Sequence, residues 1–191
     1  MGRDRLLQSV HFAALMKQHL AISAIGPDRT GLVHDLTQVI SDCGGNISES
    51  RMASLGNEFA MVLLVAGNWH ALAKLETELA KFAEEAGLTL HLRRTESRHA
   101  RTDFLPYSID AVCLDQSGIV SALSGFCSTR GIDIAEVATR NYPAAHTGAL
   151  MFAVQMIVNV PSRVHLAHLR EEFMEFCDSR NLDAILEPVK S

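Results

Sequence analysis

This chain contains one device twice, and that duplication narrows what it can fold into. Gly26-Pro27-Asp28-Arg29-Thr30-Gly31-Leu32-Val33 follows the apolar run Leu20–Ile25 and opens into a helical pattern. The echo is Leu114-Asp115-Gln116-Ser117-Gly118-Ile119-Val120, which follows Ile109-Asp110-Ala111-Val112-Cys113. Gly31 to Gly44 and Gly118 to Gly131 are both thirteen positions, and beyond them Asn46-Ile47-Ser48-Glu49 and Asp133-Ile134-Ala135-Glu136 stand in the same register. A turn, a helix and a strand start repeated at constant spacing indicate internal duplication.

Physically, the device is a strand end, a tight loop and a helix N-terminus. Its glycines let the backbone approach closely or take φ values barred to other residues. The first amides of a helix lack partners within it, and the helix dipole adds positive character there. Such a place suits a small anion, for instance a carboxylate. For any one residue a simpler role exists: Asp28, Thr30, Asp115 and Ser117 are all good helix caps. For two matching loops, binding is the better reading.

The pattern along each copy is strand, helix, strand, strand, helix, strand. In the first, strands are expected at about His19–Ile25, Asn46–Leu55, Glu58–Ala66 and Leu88–Arg94. Helices are expected at about Thr30–Cys43, ended by Gly44-Gly45, and Trp69–Ala86, capped by Asn68 and closed by Gly87. Phe59, Met61, Leu63 and Val65 alternate with Ala60, Val62 and Leu64, a strand apolar on both faces and so central. The second copy reads as strands near Tyr107–Leu114, Ile132–Asn141, Ala149–Val160 and Leu182–Val189, with helices near Ser117–Arg130 and Ser162–Arg180. Phe152, Val154, Met156 and Val158 match the earlier central strand, displaced by six residues more than the loops are. The extra residues fall in the Tyr142–Gly148 hairpin. The order βαββαβ closes as an antiparallel four-stranded sheet with both helices on one face, an α+β, ferredoxin-like plan. Right-handed crossovers put the first and third strands in the middle and leave the second at an edge, able to pair with the same strand of another module.

The domains expected are therefore 19–95 and 104–191, preceded by an N-terminal helical extension, 1–18, and joined by a linker, 96–103. Leu7, Val10 and Ala14 give the extension its amphipathic spacing. Arg93–Asp103 is charged and rich in Ser and Thr, but Glu96 and Asp103 and the lack of interleaved aromatics make it a connector rather than a nucleic-acid patch.

Composition excludes several function classes. Hydrophobic residues make up 48% and charged residues 20% of the 191, enough for a packed core in each copy. The net charge of −5 gives no basic footprint for DNA or RNA. No apolar run reaches membrane-span length, and the N-terminus lacks a signal-peptide layout. Cys43, Cys113, Cys127 and Cys177 form no C-x-x-C pair and read as reduced core thiols of a cytoplasmic protein. His165 and His168 are three apart on a helix, but nothing nominates further ligands, so no metal is expected. No cofactor is expected, and no nucleophile or acid–base set converges around His34 and Asp35.

The Gly-x-Asp-Arg-x-Gly-Leu-Val pattern at Gly26–Val33, in a βαββαβ frame, resembles the ACT domain, a regulatory module that commonly senses amino acids. Ser41–Arg51, the turn Gly56-Asn57-Glu58-Phe59 and Gly67-Asn68-Trp69 resemble the family of tandem-ACT repressors of the glycine cleavage system, with no further domain expected. The resemblance implies a ligand site between the first-strand loop of one module and the edge-strand start of a neighbour. Carried over, that set is Asp28, Arg29, Thr30, Gly31 and Leu32 with Asn46 and Ile47. The second set is Asp115, Gln116, Ser117, Gly118 and Ile119 with Asp133 and Ile134. The second loop departs from the pattern, with Gln116 in place of Arg29 and Leu114 in place of Pro27. The expected function is a non-enzymatic regulator, homo-oligomeric, that binds a small amino acid, glycine by resemblance, and acts through a partner transcription factor. The alternative is an amino-acid-responsive regulatory subunit of a metabolic enzyme.

Overall fold

A computed structural model describes residues 18–96 and 103–189. The expected N-terminal helix and residues 97–102 of the expected linker lie outside the described residues. Gln18, counted above with the extension, opens the first strand. The chain divides into two compact units, one ending at His99 and one starting at Ala100.

The first unit runs β1 (Gln18–Pro27), α1 (Leu32–Asp42), β2 (Asn46–Leu55), β3 (Glu58–Gly67), α2 (Trp69–Ala86) and β4 (Thr89–Thr95). The second runs β5 (Phe104–Leu114), α3 (Ile119–Thr129), β6 (Asp133–Pro143), β7 (Leu150–Pro161), α4 (Leu166–Asp178) and β8 (Asp183–Pro188). The sheet orders are β2-β3-β1-β4 and β6-β7-β5-β8, all neighbours antiparallel. The first and third strands are central in each unit, as expected, and the second is an edge. A register shift falls at Ile47/Glu49 in one edge strand and at Ile134/Glu136 in the other, the same place in the repeat.

Each unit has its own core. Leu20, Ile22, Phe59, Leu63 and Val65 from the central strands meet Leu32, Leu36 and Ile40 of α1 and Leu72, Leu75 and Leu79 of α2. In the second unit Ile109, Val154, Met156 and Val158 meet Leu123, Phe126, Leu169 and Phe173. Asn68 accepts from the Ala71 amide at 2.8 Å and starts α2 where its sequence placed it. α4 starts four residues later than expected. Pro161–Val164 forms a turn, with the Val164 amide donating to the Pro161 carbonyl at 2.9 Å, and Val164 packs on the core instead of entering the helix.

Polar ties fix helices to strands at the surface. Arg94 donates twice to Glu76, at 2.6 and 2.9 Å, and joins β4 to α2. That hydrogen bond holds the Glu76 carboxyl below the usual glutamate range. A depressed folded pKa gives stability that is present above the unfolded value and lost as pH falls through the folded one. Wild-type stability should therefore drop more than that of Glu76→Gln as pH falls below about 4.3. Urea midpoints of both proteins on either side of that pH check it; parallel pH curves would show that the tie contributes nothing.

Candidate functional site

Both repeated loops sit at the C-terminal end of a central strand. At the first, Gly31 is the N-cap of α1 with φ 87° and ψ −9°, left-handed backbone that favours glycine. At the second, Gly118 caps α3 with φ 88° and ψ 1°. Neither helix has a side-chain cap, so the capping role open to Asp28, Thr30, Asp115 and Ser117 is not the one they take. The physical reason is local: glycine's turn brings the chain in with its carbonyl accepting the first helical bond, from Asp35 in one unit and Ala122 in the other, both at 2.9 Å. The first-turn amides are left without a side-chain oxygen over them, and they carry the positive end of the helix dipole. A Cβ built on Gly31 meets only the Arg29 guanidinium, at 3.9 Å, so the space above it is open.

The two aspartates turn toward the edge strand. Ser54 of β2 donates to the Asp28 carboxylate at 2.7 Å, and the Asp28 amide donates to the Asn57 carbonyl at 3.0 Å. In the second unit Asn141 of β6 donates to the Asp115 carboxylate at 3.1 Å. Each pair spans 26 residues, and Ser54 and Asn141 occupy equivalent positions of the repeat. Sequence reasoning missed both partners; their matching place in the repeat was the available signal.

Arg29 pairs with Asp35 at 2.7 Å, which sets an acid in the first turn of α1. The second unit has Gln116 and Ala122 at these positions, so it has lost both members of the pair. Gln116 instead hydrogen-bonds the Cys113 thiol, whose pKa burial still keeps raised. Leu32 and Ile119 are buried and anchor their helices to the core.

Asn46 and Ile47 do not join this loop within the unit. β2 runs parallel to β1 across β3: Leu55 faces Glu58 and hence Pro27, whereas Asn46 faces Ala66 and hence His19. The two halves of the expected set therefore lie at opposite ends of the sheet. Asp133 and Ile134 stand at the far end from Asp115 in the same way, by way of Asn159 and Val158. A site containing both halves requires the edge strand of another module beside the loop.

No group of three or more His, Cys, Asp or Glu among the described residues could hold a metal ion. His165 ends up as the N-cap of α4, and His168 lies 3.2 Å from Glu172, a residue that Arg130 already holds at 2.7 Å. All four cysteines are buried and free, and burial pushes the Cys127 and Cys177 thiols up to about 11. No helix among the described residues is long and apolar enough to cross a membrane.

These features match known proteins in both sequence and structure. The ACT domain family matches residues 18–93. The glycine cleavage system transcriptional repressor of Escherichia coli (strain K12) is 28% identical over 176 residues, which covers 92% of this chain and 93% of that protein. The UPF0237 protein MJ1558 of Methanocaldococcus jannaschii is 35% identical over 71 residues, 36% of this chain and 79% of that one. A crystal structure attributed to a glycine cleavage system transcriptional repressor superposes with a TM-score of 0.72 at 25% identity, covering 92% and 99% of the two chains. One of an unknown protein from Galdieria sulphuraria gives 0.73 at 28%, covering 91% and 99%. The curated relatives named for a role are transcriptional repressors, and the matched ACT module is regulatory rather than catalytic. The chain is a tandem ACT-domain protein that resembles the glycine cleavage system transcriptional repressor.

Proposed function

We propose that this protein is a non-enzymatic, homo-oligomeric regulator that senses a small amino acid, glycine in the first instance, and acts through a partner transcription factor rather than by touching DNA itself. The observation that carries this reading is the likeness to the E. coli repressor over nearly the whole of both chains. The loop geometry supports where the ligand goes. Its carboxylate belongs over the first turn of α1 beyond Leu32, whose own amide donates to the Arg29 carbonyl at 3.3 Å, at the positive end of the helix. Its ammonium needs acceptors, and Asp28, with Asn46 and Ile47 from a neighbouring edge strand, supplies and encloses them. Leu32 closes the floor, which leaves room for little or no side chain. The second loop lacks the Arg29–Asp35 pair and is the weaker candidate. A ligand that binds where two modules meet favours one arrangement of them, and the partner reads that arrangement.

Calorimetric titration with glycine, serine and larger amino acids tests the reading. Asp28→Asn and Asn46→Ala should each weaken binding about tenfold or more, the loss of one charge-assisted contact at about 1.5–3 kcal/mol. Ser117→Ala should do less. Gly31→Ala is a better probe than the bulkier Gly31→Val: the space is open, but any side chain at this φ costs about 1–2 kcal/mol. Native-like circular dichroism with unchanged affinity in both first-loop variants would place the site elsewhere.

A further inference from the structure

Each sheet packs one face on its helices and leaves the other without them. On that other face of the second sheet, Asp110 of β5, Arg140 of β6 and Gln155 of β7 come to one depression of about 160 Å³. Val112, Ala138 and Ala153 line it as well, so short apolar side chains lie between the polar ones. The duplicated chain supplies a control for what the fold itself needs. By register the matching residues of the first sheet are Ser23, Ala53 and Val62, and Val62 is 56% exposed. Arg51 stands there in the place of Ala138, so the second sheet gains room as well as charge. The same sheet forms without an acid, a base or an amide at these three positions, so packing does not explain them.

The three residues make a site with two unlike ends. Gln155 donates to Asp110 Oδ1 at 2.9 Å, which orients the carboxylate and leaves Oδ2 and the Gln155 amide oxygen as acceptors. At the other end the Arg140 guanidinium lies 5.5 Å from the centre of the Tyr142 ring, a contact of charge with ring that leaves its N–H donors for a ligand. Asp110 and Arg140 are two strands and one row apart, about 12 Å between Cα atoms at ordinary sheet spacings. The adjoining depression, of about 330 Å³, shares Asp110, Ala138 and Gln155 and adds Glu136, so acid lies on that side and base on the other.

We infer that this face of the second sheet binds a small zwitterion, an aliphatic amino acid whose ammonium meets Asp110 and whose carboxylate meets Arg140, with its carbon chain over Ala138 and Ala153. A lone cation there is repelled by Arg140 and a lone anion by Asp110, so only a ligand with both charges satisfies both ends. A guanidinium takes a carboxylate through two parallel N–H bonds, which fixes the direction in which the ligand lies. The second unit, whose loop has lost the Arg29–Asp35 pair, thus carries its polar constellation on the sheet instead. This site shares no residue with the Gly31 loop and does not rest on the sensing role proposed for it.

Titrating the isotope-labelled full chain with glycine, β-alanine and γ-aminobutyrate, and following its amide resonances, tests this. At least one of the three should move the amides of Asp110, Arg140 and Gln155 to saturation. Acetate and methylammonium, each with one of the two charges, should not. Arg140→Ala and Asp110→Ser, which put the first sheet's own residues at these positions, should each raise the Kd about tenfold or more. Asp28→Asn should leave it unchanged. No saturable movement on β5, β6 and β7 with any of the three overturns the inference. So does equal binding of acetate or methylammonium, and so does a Kd that neither variant changes. Shifts about Thr30–Leu32 report the first loop separately, so loss of the sensing reading would leave this result standing.

Discussion

Phe173→Ala is expected to unfold the second unit well below the first, with a loss of about 3–5 kcal/mol. Phe173 is 2% exposed and sits in an aromatic cluster, 5.3 Å from the Phe126 ring edge-on and 6.4 Å from Phe176 stacked. Removing it deletes one of the two ring contacts that α4 makes with Phe126 of α3, leaving that of Phe176 at 5.0 Å, and opens a cavity that rigid strands cannot fill. Against a typical domain stability of about 5–15 kcal/mol, this is a large fraction. The melting point of the second unit should fall by more than about 10 °C. The single tryptophan, Trp69, lies in the first unit and buried Tyr107 in the second, so their fluorescence follows the two separately. Loss of both signals together would show that the units do not unfold independently.

Gly26→Val is the counterpart for the first unit, and its cause is crowding rather than a void. A Cβ at Gly26 would stand 2.8 Å from the Gly87 carbonyl oxygen and 2.9 Å from the Leu88 side chain. Backbone at that distance cannot swing away as a flexible side chain would, so β1 and the turn between α2 and β4 must separate. The expected cost is roughly 3 kcal/mol, at the upper end for overpacking. The equivalent position in the second unit is Cys113, which is buried and accommodated, so the constraint belongs to the first turn. Chemical denaturation followed by Trp69 fluorescence measures it. A midpoint equal to wild type would mean that the Gly87 turn yields freely.

Sheet order, the central strands and both helices per unit were legible because the chain states them twice. Asn68, Gly87 and the Gly44 turn marked helix ends by residue type, and the backbone follows them. Which residue sets each helix entry was not legible. Asp28 and Thr30 are chemically good caps, but cap preference does not show that a left-handed Gly31 already sets the entry, or that Asp28 has Ser54 within reach across the hairpin. The late start of α4 was hidden for a similar reason: Ser162 matches Asn68 in the repeat, yet burial of Val164 wins over continuing the helix. The resemblance brought Asn46 and Ile47 to the site from a neighbour, and the strand directions explain why no single unit can supply them.

The bond between Ser54 and Asp28 gives the first loop a mechanical connection to the edge strand. If an ammonium bound as proposed and took Asp28 Oδ2 itself, it would compete with the Ser54 hydroxyl, 2.7 Å away, and the strand losing this anchor is the one with unpaired backbone. Occupancy of the loop and order at the sheet margin are then two readings of one equilibrium. The energy exchanged is about 1.5–3 kcal/mol, that of a hydrogen bond to a charged group, and it falls within the range of ordinary coupling between sites. In the second unit the anchor is Asn141, an amide holding the carboxylate at 3.1 Å, so the same displacement would act on that margin through a different and longer bond.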